Sequence, residues 1–521
     1  MTGMQAFPFL SVLTLLPLVG AIVVATLPRD NPRLVKATAL GFSLAVAAFA
    51  GLMWAAYNVT GDRFQFRESY PWIPQWGVKF TFAADGIALV MLALIAILTP
   101  IVILASWHDA ERTDTGEPGR RSVPAFFALL LALECTMIGV FAAADVFLFF
   151  VFFEAMLVPM YFLIGSFGGA RRQYAAVKFF VYSLAGSALL LAALIGLWVI
   201  SADQLGQATF DWAKLSQLDI SQNTQRWLFL GFFVAFAVKA PFFPFHTWLP
   251  DAGGAAPAGT AAILVGVLDK AGTFGMLRYC LPLFPDASRY FAPMVLVIAL
   301  IGVLYAALLA IGQNDLKRLV SYTSISHFGF IGIGIFAFTS QAGTGAVLYM
   351  VTHGLATGLL FLVVGMLVVR RGSALISDFG GAGKLLPVLS GVFFIAGLAS
   401  LSLPGTAPFV SEFLVLLGAF STNQWVAVLA TLGVVLGAGY VLWMYQRTMQ
   451  GTLNPTLTEA PRMRQDLTRR EVVVVAPLVA LILLLGVYPK PVIDVIEPAV
   501  QATLSDLGVS DPVPSSAKGD K

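Results

Sequence analysis

Cysteine is almost absent from this chain. Only Cys135 and Cys280 occur among 521 residues, each inside an apolar stretch. Neither belongs to a C-x-x-C or Cys/His pattern, which excludes a cysteine-ligated iron–sulfur cluster or a structural zinc site. Both read as small buried hydrophobes. Charge is scarce as well. Asp, Glu, Lys and Arg make up 11% of residues, against about 25% in an ordinary soluble domain. Net charge is only +3, and no basic run interleaves with aromatics, so no nucleic-acid surface is implied. No G-x-G-x-x-G fingerprint appears, and FGGAGKL (Phe379 to Leu385) lacks the phosphate-loop spacing. No cofactor-binding or metal-ligating residue is therefore assigned. What the chain has in excess is apolar side chain, 58% of the total. One globular core could not bury so much, so the bilayer must solvate most of it.

A span needs about 20 mostly apolar residues. About fourteen stretches qualify: 7–28, 35–58, 84–107, 123–144, 146–168, 174–201, 226–249, 255–283, 289–313, 318–338, 344–369, 385–420, 424–446 and 471–489. The fold class is all-α, polytopic and membrane-spanning. MTGMQAFPFLSVLTLLPLVGAIVVATL has no basic n-region and reads as a retained first span. Spans seven and twelve are interrupted. The first break is Lys239-Ala240-Pro241-Phe242-Phe243-Pro244, the second Leu403-Pro404-Gly405-Thr406-Ala407-Pro408. Proline removes a backbone donor and clashes with the preceding turn. In hydrocarbon such a break is tolerated only where protein or water satisfies it, so broken spans line cavities. Both breaks share Ala-Pro-Phe. Two interrupted spans in corresponding places are the sign of a duplicated transporter fold with its site at the breaks, although the three letters could also recur by chance.

Counted from the N-terminus, loops after odd spans carry eighteen Lys and Arg. The opposite side carries ten, Arg278 among them; the remaining three of 31 are Lys178, Lys239 and Lys270. That bias places both termini outside. Segment 59–83 is aromatic and polar and predicts a surface hairpin at the outer interface. The tail after Pro489 begins apolar and ends in a polar stretch that cannot fold alone. Gly433 and Gly437 form a small-xxx-small pair suited to close helix packing.

Lys178, Lys239, Lys270, Glu134, Glu154 and Glu412 lie inside spans. A charge at that depth costs about 2.5–3.5 kcal/mol on insertion scales and usually marks an ion or proton path. An isolated ion in low dielectric tends to neutralise, whereas a paired one stays charged. A Glu–Lys pair of variable separation is thus a proton switch. Glu154 and Lys239 are expected to form it, with Lys239, Lys270 and Glu412 as successive stations on a hydrated line. The plain alternative is a static salt bridge that fixes helix register. Lys178, near the start of span six, could instead snorkel to the interface. Asp269 is expected to neutralise Lys270 or Lys178. Glu134 has no partner that sequence can name. Asp85 and Asp145 fall near span ends, where solvation is the expected account. His246, His327 and His353 suit a relay, with packing, or a haem-ligating pair, as alternatives.

Four segments carry a family resemblance. They are KAPFFPFHTWLPDAGGAAPAGTAAILVGVLDKAGTFGMLR (Lys239 to Arg278), FFEAMLVPMYFLIGSFGG (Phe152 to Gly169), DLKRLVSYTSISHFGF (Asp315 to Phe330) and LPGTAPFVSEF (Leu403 to Phe413). Together they resemble the antiporter-like membrane subunits of respiratory complex I, an NADH-quinone oxidoreductase. The resemblance implies fourteen helices, two inverted five-helix repeats, and broken helices 7 and 12. It implies helices 1–3 with the hairpin in 1–120, repeats in 121–285 and 286–450, and helix 14 with the tail in 451–521. It puts the central pair on Glu154 and Lys239, the connecting lysine on Lys270, the exit on Glu412, and a water wire at His327 and His353. A glutamate at 412 points to the M type; the L and N types carry lysine there, and the L type is longer. Asp269 departs from the apolar residue expected. The implied role is proton translocation in a bacterial inner membrane, coupled to quinone reduction in partner subunits. Flavin, iron–sulfur clusters and quinone would sit in those partners, with L- and N-type subunits as neighbours. A subunit of a multi-subunit cation/proton antiporter, a membrane-bound hydrogenase subunit, and a haem cytochrome remain as competitors.

Overall fold

The computed structural model describes residues 7–111 and 122–512. The end of the polar tail, the first six residues and the arginines at 112, 120 and 121 lie outside them. Twelve described helices are long and apolar enough to cross a membrane. They are α1 (Phe9–Thr26), α2 (Pro32–Ala56), α3 (Gly86–Ala105), α4 (Val123–Ala142), α5 (Val146–Phe167), α6 (Arg172–Leu205), α9 (Ala258–Leu283), α10 (Pro285–Ile311), α11 (Leu316–Phe336), α12 (Ser340–Arg371), α15 (Gln424–Met449) and α16 (Arg469–Val487). Hydrocarbon offers the backbone no hydrogen-bond partner, so apolar runs of this length close their own i→i−4 bonds. The most apolar windows of α9 and α12 are wholly buried within the protein, and those of α3 and α11 nearly so. These four form the axis of the bundle. Outer helices keep a bare aliphatic face, as at Leu44, Val181, Val435 and Val473.

Both interrupted segments are broken where the prolines fall. Helix α7 (Gln222–Lys239) stops at the lysine, and the chain resumes as a short helix α8 (Leu249–Ala255). Helix α13 (Pro387–Ser400) is separated from α14 (Ala407–Thr422) by a loop with Ser402 at φ 58° and Gly405 at φ 93°. A non-glycine residue at positive φ is uncommon and collects at functional sites. Helix α9 is also irregular, which no proline announces. Five-residue π turns at Leu264–Leu268 and Met276–Cys280 flank Asp269 and Lys270.

Segment 59–83 folds as an antiparallel hairpin, β1 (Gln65–Ile73) and β2 (Val78–Ala84), turning near Gly77 at φ 68°. Glu68 from β1 accepts the Leu10 N–H at 2.7 Å and so caps α1, whose own cap position is Pro8. Arg63 reaches Asp506 at 2.6 Å on the last helix, α17 (Lys490–Asp506).

The hairpin and α17 overturn the solvated reading of Asp85 and Asp145. Both acids are buried. Phe82 of β2 bridges to Ala143, and Asp145 caps α5 while also accepting the Lys79 N–H at 3.2 Å. Helix α17 crosses the start of α3 so closely that a Cβ on Gly86 would overlap the Val495 carbonyl. Arg278 is likewise no loop residue. It is buried in the second π turn of α9, 2.5 Å from Asp85. The Gly433–Gly437 reading holds at one end only: Gly433 meets Val303 of α10, while Gly437 faces little.

Candidate functional site

The π turns matter because of what they aim. A π turn is a local widening of the helix, frequent at functional sites. Between the two, Lys270 points into the protein with no exposed surface. Its Nζ donates to the Val265 carbonyl, lies 3.2 Å from Asp269 Oδ1, and 2.7 Å from His353 Nδ1 on α12. The Phe328 ring lies beneath it at 5.1 Å. An ammonium has three donors and no acceptor, and here it has three acceptors. His353 Nδ1 must then accept, which puts the ring proton of a neutral His353 on Nε2. Gly272 lets α9 approach α7 to backbone contact, since a Cβ there would sit 2.4 Å from the Phe236 carbonyl.

From Lys270 a line of polar side chains continues across α12, α11 and α14. The rings of His353 and His327 lie edge-to-face at 5.3 Å. Among the described residues neither His353 Nε2 nor His327 Nδ1, both buried, has a hydrogen-bond partner. The ring of His327, which faces the Ser400 backbone, is 5.6 Å from that of Tyr349. Tyr349 precedes His353 by one turn of α12, so the two share a face. The Tyr349 hydroxyl donates to Glu412 Oε2 at 2.6 Å, and Ser402 Oγ donates to the same oxygen at 2.6 Å. Thr352 and Ser411, 2.8 Å apart, hold α12 against α14 beside them. The edge-to-face histidines leave no gap between them for a haem.

Glu154 and Lys239 are neighbours that stand apart, without an ion-pair contact. Among the described residues no carboxylate oxygen lies within 4.0 Å of Lys239 Nζ, and neither that Nζ nor Glu154 Oε1 has a hydrogen-bond partner. The two are near enough to interact through charge. The ammonium instead rests 4.7 Å from the Phe153 ring centroid and 5.8 Å from that of Phe179, a cation–π environment. Pro159 leaves the Ala155 carbonyl without its helical donor, and α5 is irregular at Met156, two residues past Glu154.

Lys178 is not an unpaired intramembrane charge. It bonds Asp251 of α8 at 2.7 Å, and Asp251 also takes Arg318 at 2.6 Å. Asp269 accordingly serves Lys270, not Lys178. His246 packs against Phe243 and Tyr305, at 5.9 and 5.5 Å, and feels the charge of Lys178, so it stands apart from the line to Glu412. Glu134 is fully buried, with Thr99 beside it and neither oxygen in a hydrogen bond to the described residues. Sequence reasoning missed Tyr349, Ser402 and Asp251. Tyr349 carried a usable signal, its i,i+4 spacing from His353; Ser402 and Asp251 carried only their nearness to a break.

Residues 143–437 match the family described as NADH:quinone oxidoreductase/Mrp antiporter, TM. Over 541 aligned residues the chain is 47% identical to NADH-quinone oxidoreductase subunit M of Mycobacterium tuberculosis, covering 99% of this chain and 97% of that protein. It is 38% identical to the Rhodobacter capsulatus protein of that name, covering 94% and 95%. A chain of respiratory complex I from Thermus thermophilus, solved with bound NADH, superposes with a TM-score of 0.84 at 30% identity, covering 96% of this chain and 100% of that one.

Proposed function

This chain belongs to the NADH:quinone oxidoreductase/Mrp antiporter transmembrane family, and from that premise we propose that it is the M-type proton-translocating subunit of a bacterial NADH-quinone oxidoreductase. It carries no redox group of its own. Flavin, iron–sulfur clusters and quinone belong to partner subunits, and L- and N-type subunits flank it in the membrane arm. The fourteen crossings comprise helices 1–3 within 1–120, inverted repeats in 121–285 and 286–450, and helix 14 within 451–521. Both termini face away from the cytoplasm. The excess of Lys and Arg in the loops after odd spans supports this.

One observation carries the reading. A buried ammonium is joined by side-chain contacts to a buried carboxyl at a broken helix, through two histidines and a tyrosine, inside an apolar bundle. Such a line has a use in moving protons and none that apolar packing would not serve better. Lys239 passes its proton toward Lys270 when Glu154 moves away from it. Lys270 gives a proton to His353 Nδ1 as Nε2 releases one toward His327, and Glu412 is the exit. Lys178, Asp251 and His246 form the approach to Lys239, and Glu134 is an auxiliary proton site off the line. Quinone chemistry in the partners has to supply only about 2.3 kcal/mol per charge per 100 mV of membrane potential. The relatives' names favour this reading over a free-standing cation/proton antiporter.

The test is NADH-driven proton uptake in sealed membrane vesicles holding the assembled complex. Lys270→Ala, Lys239→Ala and Glu154→Ala should each abolish or strongly reduce pumping without preventing assembly. A normal proton-to-electron ratio in Lys270→Ala would remove the line from function. Failure to co-purify with flavin- and quinone-binding subunits would return the antiporter reading.

A further inference from the structure

We propose that Tyr349 is the relay through which the proton reaches Glu412, with Ser402 holding the carboxylate in place for it; this rests on the proton-path reading above. The gap it fills is geometric. His327 is the last histidine on the line, and Glu412 is the group beyond it. The phenol lies between them, its ring 5.6 Å from the His327 ring and its oxygen 2.6 Å from Glu412 Oε2. Tyr349 is fully buried.

The hydroxyl chemistry fits a relay better than a spacer. Two hydroxyls converge on the single oxygen Oε2, from Tyr349 and from Ser402. An ionised carboxylate only accepts, whereas a hydroxyl both donates and accepts. When Oε2 gains a proton, one of its two donors must therefore turn round. The phenol can do so while facing the histidines. The step balances: the phenolic proton passes to Oε2, forming the carboxyl O–H. In the same motion the phenol oxygen takes a proton from the His327 side, directly or through one water. One proton enters the ring's oxygen, one leaves, and the phenol ends neutral. Ser402 supplies the second hydrogen bond to Oε2. Its left-handed backbone, φ 58°, is what turns its hydroxyl onto Glu412 from the end of the broken helix. The break therefore has a task beyond opening a cavity, which is to bring this donor to the carboxylate.

Tyr349→Phe in the assembled complex tests the relay, since it keeps the ring and removes one oxygen. Proton pumping should fall about tenfold or more, tenfold corresponding to about 1.4 kcal/mol on the transfer barrier. The carboxyl C=O band of Glu412, identified in infrared difference spectra by its loss in Glu412→Gln, should shift as its donor disappears. Tyr279→Phe removes an equally buried hydroxyl that donates to the Ala143 carbonyl at 3.2 Å and should leave pumping unchanged. Wild-type pumping by Tyr349→Phe, while Lys270→Ala pumps nothing, overturns the relay and leaves the path standing. Wild-type pumping by both overturns the path itself. Should Tyr349→Phe fail to assemble, 3-fluorotyrosine at position 349 decides, since it keeps the ring and its oxygen but makes the phenol more acidic. A shifted Glu412 band with a changed pumping rate supports delivery by the phenol; an unchanged pumping rate overturns the proposal.

Discussion

Removing the His353 imidazole should cut proton transfer at the centre of the line. In the structure His353 Nδ1 lies 2.7 Å from Lys270 Nζ. A hydrogen bond to a charged group contributes about 1.5–3 kcal/mol. At about 1.36 kcal/mol per decade, its loss slows transfer by roughly 10- to 150-fold. His353→Ala leaves Lys270 with Asp269 and the Val265 carbonyl, and beyond them the Phe328 ring, which cannot take a proton. His353→Gln separates two accounts. Its amide oxygen can still accept from Lys270 and its bulk still fills the site, but an amide does not relay. Both variants should lose NADH-driven quenching of a pH-sensitive dye in sealed vesicles, at unchanged content of assembled complex. If His353→Gln pumps as wild type does, the imidazole serves packing and the relay reasoning is wrong.

Two further outcomes follow from geometry outside the line. Arg370 uses all five of its N–H donors: a fork onto both Glu471 oxygens at 2.8 and 2.7 Å, and the carbonyls of Gln465, Asp466 and Met366. Arg370→Ala leaves Glu471 buried and unpaired and should cost about 3–5 kcal/mol, read as a lower thermal midpoint of the complex; Arg370→Lys should restore little of it, for lack of the fork. Glu111 sits in the segment after α3, 2.7 Å from Lys36 and 2.8 Å from His108. Burial pushes its carboxyl up, but the bonds from Lys36 and His108 outweigh that and hold it below the ordinary 4.5. A lowered carboxyl contributes stability above 4.5 that is lost as pH falls through the lowered value. Unfolding measured across that acid window should therefore be flatter for Glu111→Gln, and an unchanged acid slope would show that the pair contributes nothing.

The class of the protein and the positions of its breaks were legible in the residues. Hydropathy over about 20 positions is a local property, and Pro241, Pro244, Pro404 and Pro408 act on their own turns. For the same reason Lys270, His327, His353 and Glu412 could be named in advance: an ionisable or imidazole side chain in an apolar run stands out wherever the run lies. The π turns of α9 were not legible, because no residue type demands them; they form where Gly272 and its neighbours seat α9 against α7. Asp85, Asp145 and Arg278 were misplaced for a related reason. Their burial depends on a hairpin and a terminal helix closing over the span ends.

Only the tertiary structure decided who touches whom. Lys270 meets His353 across 83 residues of chain, Tyr349 meets Glu412 across 63, and Lys178 finds Asp251 rather than Asp269 across 73. It also set Lys239 against an aromatic ring, with Glu154 held off. Local pattern fixes which side chains are costly to bury. Helix rotation and packing fix which of them share a face, and that depends on every neighbour at once.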